Sequence, residues 1–367
     1  MVNMRIAMVR SKSPAGIEPR LDREASALAK RGHEVHVLLW DRNVEHHAEE
    51  TRNGYRIHRY QLAAPEGQIG LLSKMGRWWR WELRKLLSLR PDVVHACDFD
   101  TAIPATLYSS LRGTRLVYDI FDFYAYMIAQ PLGSRVRETL ARWERQVARR
   151  ADLVILADQA RVVQLGEGFP RRFEVIMNVP QDIAISETEQ PEFTVFYGGM
   201  ISGERGLRQI VEACAMAGVR LVVAGHGPDE ATLIPLFRQS GHVTFLGNIS
   251  YNEVLKWTAR SHLIAALYDP SIPNNRFASP NKLFEAMMLR KPVLTNDGVR
   301  PAEIVRDVAC GLVVRYDDVK GIADAVRSLA SDAARRREMG VRGRKAFEER
   351  FNWPLMESRL AAGYATL

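Results

Sequence analysis

Residues Ser271 to Thr295 read SIPNNRFASPNKLFEAMMLRKPVLT. Lys282 to Leu289 has helical spacing, with Leu283, Phe284, Met287 and Met288 on one face, and Pro292 to Thr295 is a short apolar run of the kind that forms a buried strand. Pro280 is expected just inside the helix start, where its missing N–H costs nothing, with Ser279 as the N-cap. The leading turns then carry Asn281, Lys282 and Glu285. A helix N-terminus and a lysine attract phosphate, and a carboxylate accepts from a vicinal diol. An anionic, hydroxyl-rich ligand such as a sugar nucleotide fits that combination. Lys and Glu at helical spacing also form exposed ion pairs of little worth, so the surrounding chain has to decide.

Working outward, Phe193 to Tyr197 reads as a strand, GGMISGERG (198–206) as a glycine-rich loop and Leu207 to Ala217 as a helix. Such a loop lets backbone N–H groups approach a phosphate, and Arg205 adds charge. RLVVAGHGPDEATL follows as strand, turn and helix, with Gly225 and Gly227 in the turn. Val243 to Leu246 is the next strand, and Gly247 to Ser250, containing Asn248, is the turn that follows it.

The first half has the same grammar: strand Met4–Val9, helix Leu21–Arg31 and strand Val35–Leu39 form a β-α-β opening, which implies a parallel sheet with its ligands at the strand C-termini. Asp119, Asp122 and Tyr124, at and beyond the end of the strand starting at Arg115, are therefore candidates to line the crevice there, with Asp98 and Asp100 after strand Asp92–Ala96 as second candidates. Arg135 to Arg150 is expected to be an amphipathic helix with Val136, Leu140, Trp143 and Val147 inward. Residues 179–192 are acidic, Pro-containing and without periodicity, the composition of a linker. The expected division is 1–178, a linker over 179–192, 193–350, and a terminal helix over 351–367.

The 367 residues suit two domains, and 47% hydrophobic content suffices for two cores. No stretch approaches the ~18 uninterrupted apolar residues of a spanning helix, and the N-terminus runs straight into a strand, so neither an anchor nor a cleavable signal is expected. The three cysteines are far apart in apolar surroundings and read as reduced core residues. A net charge of +8 calls for an anionic partner. No helix-turn-helix, zinc-finger or RNP-like pattern accompanies it, so no nucleic acid is expected. Residues 71–87 combine Trp78, Trp79 and Trp81 with Lys74, Arg77, Arg80, Arg84 and Lys85, the composition of a helix resting in an anionic membrane surface. Since three tryptophans within four positions span more than half the helical wheel, part of the set is expected to be exposed.

SPNKLFEAMMLRKPVLT resembles the donor-binding segment of family 4 retaining glycosyltransferases, the glycogen-synthase-like and mannosyltransferase-like group, in the subgroup that keeps S-P-N-K-x-x-E. The resemblance covers nearly the whole chain and is most specific from Phe193 to Thr295. It implies an α/β fold of GT-B architecture, two facing Rossmann-like domains with a cleft between them. It implies a hexosyltransferase that moves a sugar from a nucleotide sugar to a glycan or lipid-linked acceptor, with retention and without a metal or other cofactor. The family's signature is Glu, seven residues, Glu. Glu285 matches the second Glu, which holds the ribose, while the first falls on Phe277. Arg205-Gly206 matches the diphosphate-binding loop, and the usual Gly-Gly loop of the first domain is replaced by Ala15 and Gly16. Implied donor contacts are Gly198, Gly199, Arg205, Gly206, Gly225, Gly227, Asn248, Ser279, Asn281, Lys282, Leu283 and Glu285. Arg205, Lys282 and Asp122 are the implied catalytic set, and Asp98, Asp119, Asp122 and Tyr124 are the implied acceptor-side residues. A cytoplasmic location, peripheral on the inner face of the plasma membrane, follows as an expectation. A sugar-nucleotide epimerase of this architecture, and a non-catalytic nucleotide- or surface-binding protein, are the alternatives.

Overall fold

The computed structural model describes residues 3–11, 17–64, 68–128, 133–166 and 172–367. Ala15 and Gly16 lie outside the described residues. The chain forms two compact units, Met1–Met177 with Met356–Leu367, and Asn178–Leu355.

Unit 1 runs β1 (Arg5–Arg10), α1 (Pro19–Lys30), β2 (Glu34–Asp41), β3 (Glu49–Arg52), β4 (Tyr55–Gln61), α2 (Gln68–Leu89), β5 (Val93–Cys97), α3 (Phe99–Arg112), β6 (Arg115–Ile120), α4 (Tyr124–Ile128), α5 (Ser134–Arg150), β7 (Leu153–Leu156) and β8 (Phe173–Val175). The sheet order is β3-β4-β2-β1-β5-β6-β7-β8, parallel except where β3 pairs antiparallel with β4. The chain reverses its direction of travel across the sheet between β1 and β5, and such a switch point opens a crevice at the strand C-termini. The β3–β4 hairpin was not expected. Its turn is Asn53-Gly54, both at positive φ, a strong hairpin signal present in the sequence.

The tryptophans of α2 do not form an exposed set. Trp78 is fully buried and stacks on Trp40 of β2 at 5.8 Å, Trp81 stacks on Trp78 and Tyr60, and the half-buried Trp79 donates from Nε1 to the Asp100 carbonyl at 2.7 Å. Neighbours on both flanks of the helix, β4 on one and α3 on the other, extend the burying surface around more of its wheel than one sheet would. Arg77, Arg80 and Arg84 remain exposed. On α5 the correction runs the other way. Val147 is buried, but Val136 and Trp143, expected to face inward, are 43% and 59% exposed.

Unit 2 runs β9 (Thr194–Gly198), α6 (Leu207–Ala217), β10 (Arg220–Ala224), α7 (Glu230–Gln239), β11 (Val243–Phe245), α8 (Tyr251–Arg260), β12 (Leu263–Ala266), α9 (Asn281–Met288), β13 (Val293–Asn296), α10 (Arg300–Val308), β14 (Gly311–Val314), α11 (Val319–Ser331) and α12 (Ala333–Arg350). A last helix, α13 (Trp353–Tyr364), enters unit 1 at Met356. The all-parallel order β11-β10-β9-β12-β13-β14 places the switch point between β9 and β12. Residues 178–192, without helix or strand, are tied to unit 2 by ion pairs of Asp182 with Arg344, Glu187 with Arg260 and Glu189 with Lys291.

Candidate functional site

In unit 2 the glycine-rich loop leaves the C-terminus of β9, and the segment quoted at the outset leaves that of β12, so both emerge at the switch point. Close approach of backbone fixes the loop's composition. A Cβ on Gly225, whose φ is +136°, would lie 1.8 Å from the Gly199 carbonyl oxygen, and one on Gly227 would lie 2.4 Å from that of Ile201. The turns are laced by bonds from Gly199 N–H to Ala224 O and from Ile201 N–H to His226 O, both 2.9 Å. Gly198 and Gly206 are confined less tightly, by the side chains of Phe196 (3.0 Å) and Leu267 (2.7 Å).

Helix α9 begins at Asn281, one residue later than a Ser279 cap implies. Pro280 takes the N-cap position in extended conformation, and Ser279 is not the cap. A proline at φ −79°, ψ 134° ends the preceding segment and enters the helix without needing its own N–H. The Ser279 hydroxyl is left buried with no hydrogen-bond partner among the described residues. Asn281 and Asn248 are exposed. Leu283 is fully buried and its N–H donates to the Pro280 carbonyl at 3.1 Å, so its side chain packs in the core instead of lining a site.

Lys282 is the centre of the arrangement. Its ammonium sits 3.6 Å from the centroid of the Tyr197 ring and 6.0 Å from that of Tyr268. Gly199 leaves room for it, since a Cβ there would come 3.0 Å from Nζ. The Arg205 guanidinium lies 4.8 Å from the Tyr268 ring, donates to Asn275 Oδ1 at 3.1 Å and pairs with Glu204 at 3.1 Å. Burial, and then repulsion from Arg205, lower the Lys282 pKa to about 7, against the opposing pull of the buried Glu285. A cation kept short of counter-charge on aromatic rings is a receptor for an anion. Tyr197, Tyr268 and Asn275 were not singled out from the sequence, although both tyrosines stand at or just beyond the C-termini of central strands, where a parallel sheet exposes its ligand-facing residues.

In unit 1, Asp98 sits at the corresponding switch point with φ 66° and ψ 165°, a strained conformation for a residue with a Cβ. One carboxylate oxygen accepts from the N–H groups of Phe121 (3.0 Å) and Asp122 (3.4 Å), and the other from Arg10 (3.1 Å). Burial raises its pKa to about 7, with Arg10 opposing. Asp122, its side chain 44% exposed, accepts from Arg161 at 2.9 Å, and the half-buried Tyr124 donates its N–H to Glu144. Asp119 departs from its expected place at the ligand-facing surface. It is fully buried, bound by Arg20 at 2.5 Å and 3.4 Å from His95 Nε2, whose ring bonds the Tyr364 hydroxyl at 2.7 Å. Asp119 thus belongs to an internal network that ties α1, the sheet and α13 together. His95, Cys97 and Asp119 have ligand atoms within 4.8 Å of one another, but Arg20 already neutralises the carboxylate.

The chain matches two family models in succession, "Glycosyl transferase 4-like domain" over residues 15–178 and "Glycosyl transferases group 1" over residues 192–332. It is 28% identical to an alpha-D-kanosaminyltransferase of Streptomyces kanamyceticus, over 76% of this chain and 80% of the relative. Among solved structures, a sucrose-phosphate synthase from Thermosynechococcus elongatus superposes with a TM-score of 0.81 at 17% identity, covering 99% of this chain and 98% of its own. HepE of Anabaena, solved with UDP and glucose, gives 0.74 at 17% identity over the whole of both chains. With two parallel Rossmann-like sheets and both family models aligned in order, the chain belongs to the family 4-like glycosyltransferases of GT-B architecture.

Proposed function

We propose that the protein is a retaining, metal-independent hexosyltransferase that binds a nucleotide-sugar donor on unit 2 and a glycan or lipid-linked acceptor on unit 1. The observation that carries this reading is the Lys282–Arg205 pair. Two cations are held on Tyr197 and Tyr268 at the switch point, beside a helix N-terminus and the unpartnered Ser279 hydroxyl. The donor's diphosphate supplies the counter-charge that Lys282 is short of, and both residues meet the charge that grows on the leaving group as the glycosidic bond breaks. The S-P-N-K-x-x-E pattern assigns the ribose hydroxyls to Glu285. Phe277, where the family's first Glu would stand, offers no carboxylate nucleophile. Retention therefore rests on attack from the face the leaving phosphate vacates, or on a carboxylate elsewhere. Asp122 is the candidate to contact the reacting sugar.

The test is a screen of nucleotide sugars with product detection, and with the anomeric configuration of the product read by NMR. Inversion removes the retaining mechanism, and loss of turnover on chelation removes the metal-free one. An epimerase of the same architecture would convert the donor with no acceptor added. For Glu285→Gln the expected result is a folded protein whose donor affinity falls by about 1.5–3 kcal/mol, the worth of a charge-assisted hydrogen bond. Unchanged affinity by calorimetry would remove Glu285 from the ribose.

A further inference from the structure

Helices α2, α3 and α5 lie on one face of the unit 1 sheet. Their inward residues, among them Trp78, Ala105 and Val147, join one core cluster with alternate residues of β1, β5 and β6. α3 packs against both of the others. The outward side of this layer is unusual in two respects. It exposes Arg77, Arg80 and Arg84 on α2, Arg112 on α3, and Arg135 and Arg142 on α5, while Glu138 is the only exposed carboxylate on the three helices among the described residues. It also exposes large apolar side chains: Leu107 (51%) and Leu111 (74%) on α3, Val136 (43%) and Trp143 (59%) on α5.

Spacing organises the two sets. Arg135 and Arg142 are seven residues apart and share one stripe of α5; Val136 and Trp143, also seven apart, occupy the stripe beside it. On the other flank of α5 a cavity of about 530 Å³ is lined by Tyr126 of α4 and by Arg137, Glu138, Arg142 and Arg145. A one-signed guanidinium surface with an interfacial tryptophan and leucines set among the charges matches a phosphate-bearing surface over an apolar interior. No described helix is long and apolar enough to cross a membrane.

We propose that the outer face of the α2–α3–α5 layer docks on an anionic phospholipid surface, with the arginines on the headgroup phosphates and Trp143, Leu111 and Leu107 at the interface. This deepens the lipid-linked arm of the acceptor reading and rests on it for its purpose. The tryptophans of α2, one buried and two half-buried against their neighbours, have no part in the contact, which moves the apolar anchor from residues 78–81 to α3 and α5. A soluble polyanion would engage the arginines and ignore Trp143.

The experiment is flotation of the full chain, without donor, with phosphatidylcholine vesicles containing or lacking phosphatidylglycerol. The expected result is partition onto the anionic vesicles, reversed by high salt. Each arginine near such a surface contributes about fivefold in partition. Arg135→Gln with Arg142→Gln should therefore weaken partition by roughly 25-fold, Arg135→Lys with Arg142→Lys should leave it near wild type, and Trp143→Ala should weaken it. Unaltered thermal unfolding and retained donor binding show that the variants fold, and the lysine pair keeps the test readable if the glutamine pair does not. Wild type that stays with the pellet at low salt, or variants that float as well as wild type, would overturn the proposal. So would binding to dextran sulfate that Trp143→Ala leaves intact while no vesicle is bound. Because flotation needs no turnover, a chain that floats yet transfers no sugar would count against the transferase reading alone.

Discussion

Lys282→Ala is expected to lower turnover by on the order of 10²-fold or more, the loss seen when one preorganised donor is taken from a developing anion, and to lower donor affinity by less. The ammonium of the free protein is half discharged at neutral pH by burial and by Arg205. Part of its attraction for the ground-state diphosphate is therefore spent on recharging it. Charge on the leaving group grows in the transition state, and the full interaction is realised there. Arg205→Ala should behave similarly, with a smaller loss in rate, because Glu204 and Asn275 already engage its guanidinium. Steady-state kinetics beside calorimetric donor binding checks both. Equal losses in rate and ground-state affinity would mark the two residues as uniform binders.

Gly225→Ala should be the most damaging of the small substitutions. The new methyl would sit 1.8 Å from the Gly199 carbonyl oxygen, at a φ of +136° that residues with a Cβ rarely adopt. Neither the β9 loop nor the β10 turn can retreat without losing the bonds from Gly199 to Ala224 and from Gly225 to Gly247. Backbone strain and overpacking of this kind each cost about 1–3 kcal/mol. A loss of ~3 kcal/mol or more, with donor binding abolished, is the expected outcome in denaturant unfolding. Gly241→Ala is the matched control, since a Cβ there meets nothing within 4 Å and the change should stay within about 0.5 kcal/mol. Comparable stability of the two variants would show that the loop adapts.

What the sequence disclosed follows from the range of the interactions involved. The α9 helix and the strand after it were legible because Pro280 and the Leu283–Met288 periodicity are local, and the glycine loops because steric need at Gly225 and Gly227 restricts the residue type itself. The β3–β4 hairpin was legible in Asn53-Gly54 and overlooked, since EETR carries too few apolar residues to read as a strand. The facing of tryptophans was not legible. Trp78 is claimed by Trp40 from another strand, whereas Trp143 is left outside a helix whose inward row is completed by Ala141 and Ala148. The aromatic seat of Lys282 escaped notice because Tyr197, Tyr268 and Lys282 come from three elements that only the parallel sheet brings together. Asp119 was misplaced for a similar reason, as its partner Arg20 lies on α1, far away in sequence.

The central claim is that a diphosphate completes the charge at Lys282, and proton linkage tests it most directly. The folded, unliganded lysine has its pKa lowered to about 7, so at pH 8 it is mostly neutral. A bound diphosphate favours the charged form and raises that pKa again. Binding must then take up a proton, and affinity must weaken as pH rises above 7, by at most tenfold per unit. The measurement is calorimetric titration of a nucleotide-sugar panel at pH 8 in two buffers of different ionisation enthalpy, on wild type and Lys282→Ala. The predicted result is a donor that binds wild type with uptake of a large fraction of a proton, an uptake absent in the variant. A donor bound without proton uptake, or with the same uptake in both proteins, would contradict the account, as would a wild type that binds no nucleotide sugar.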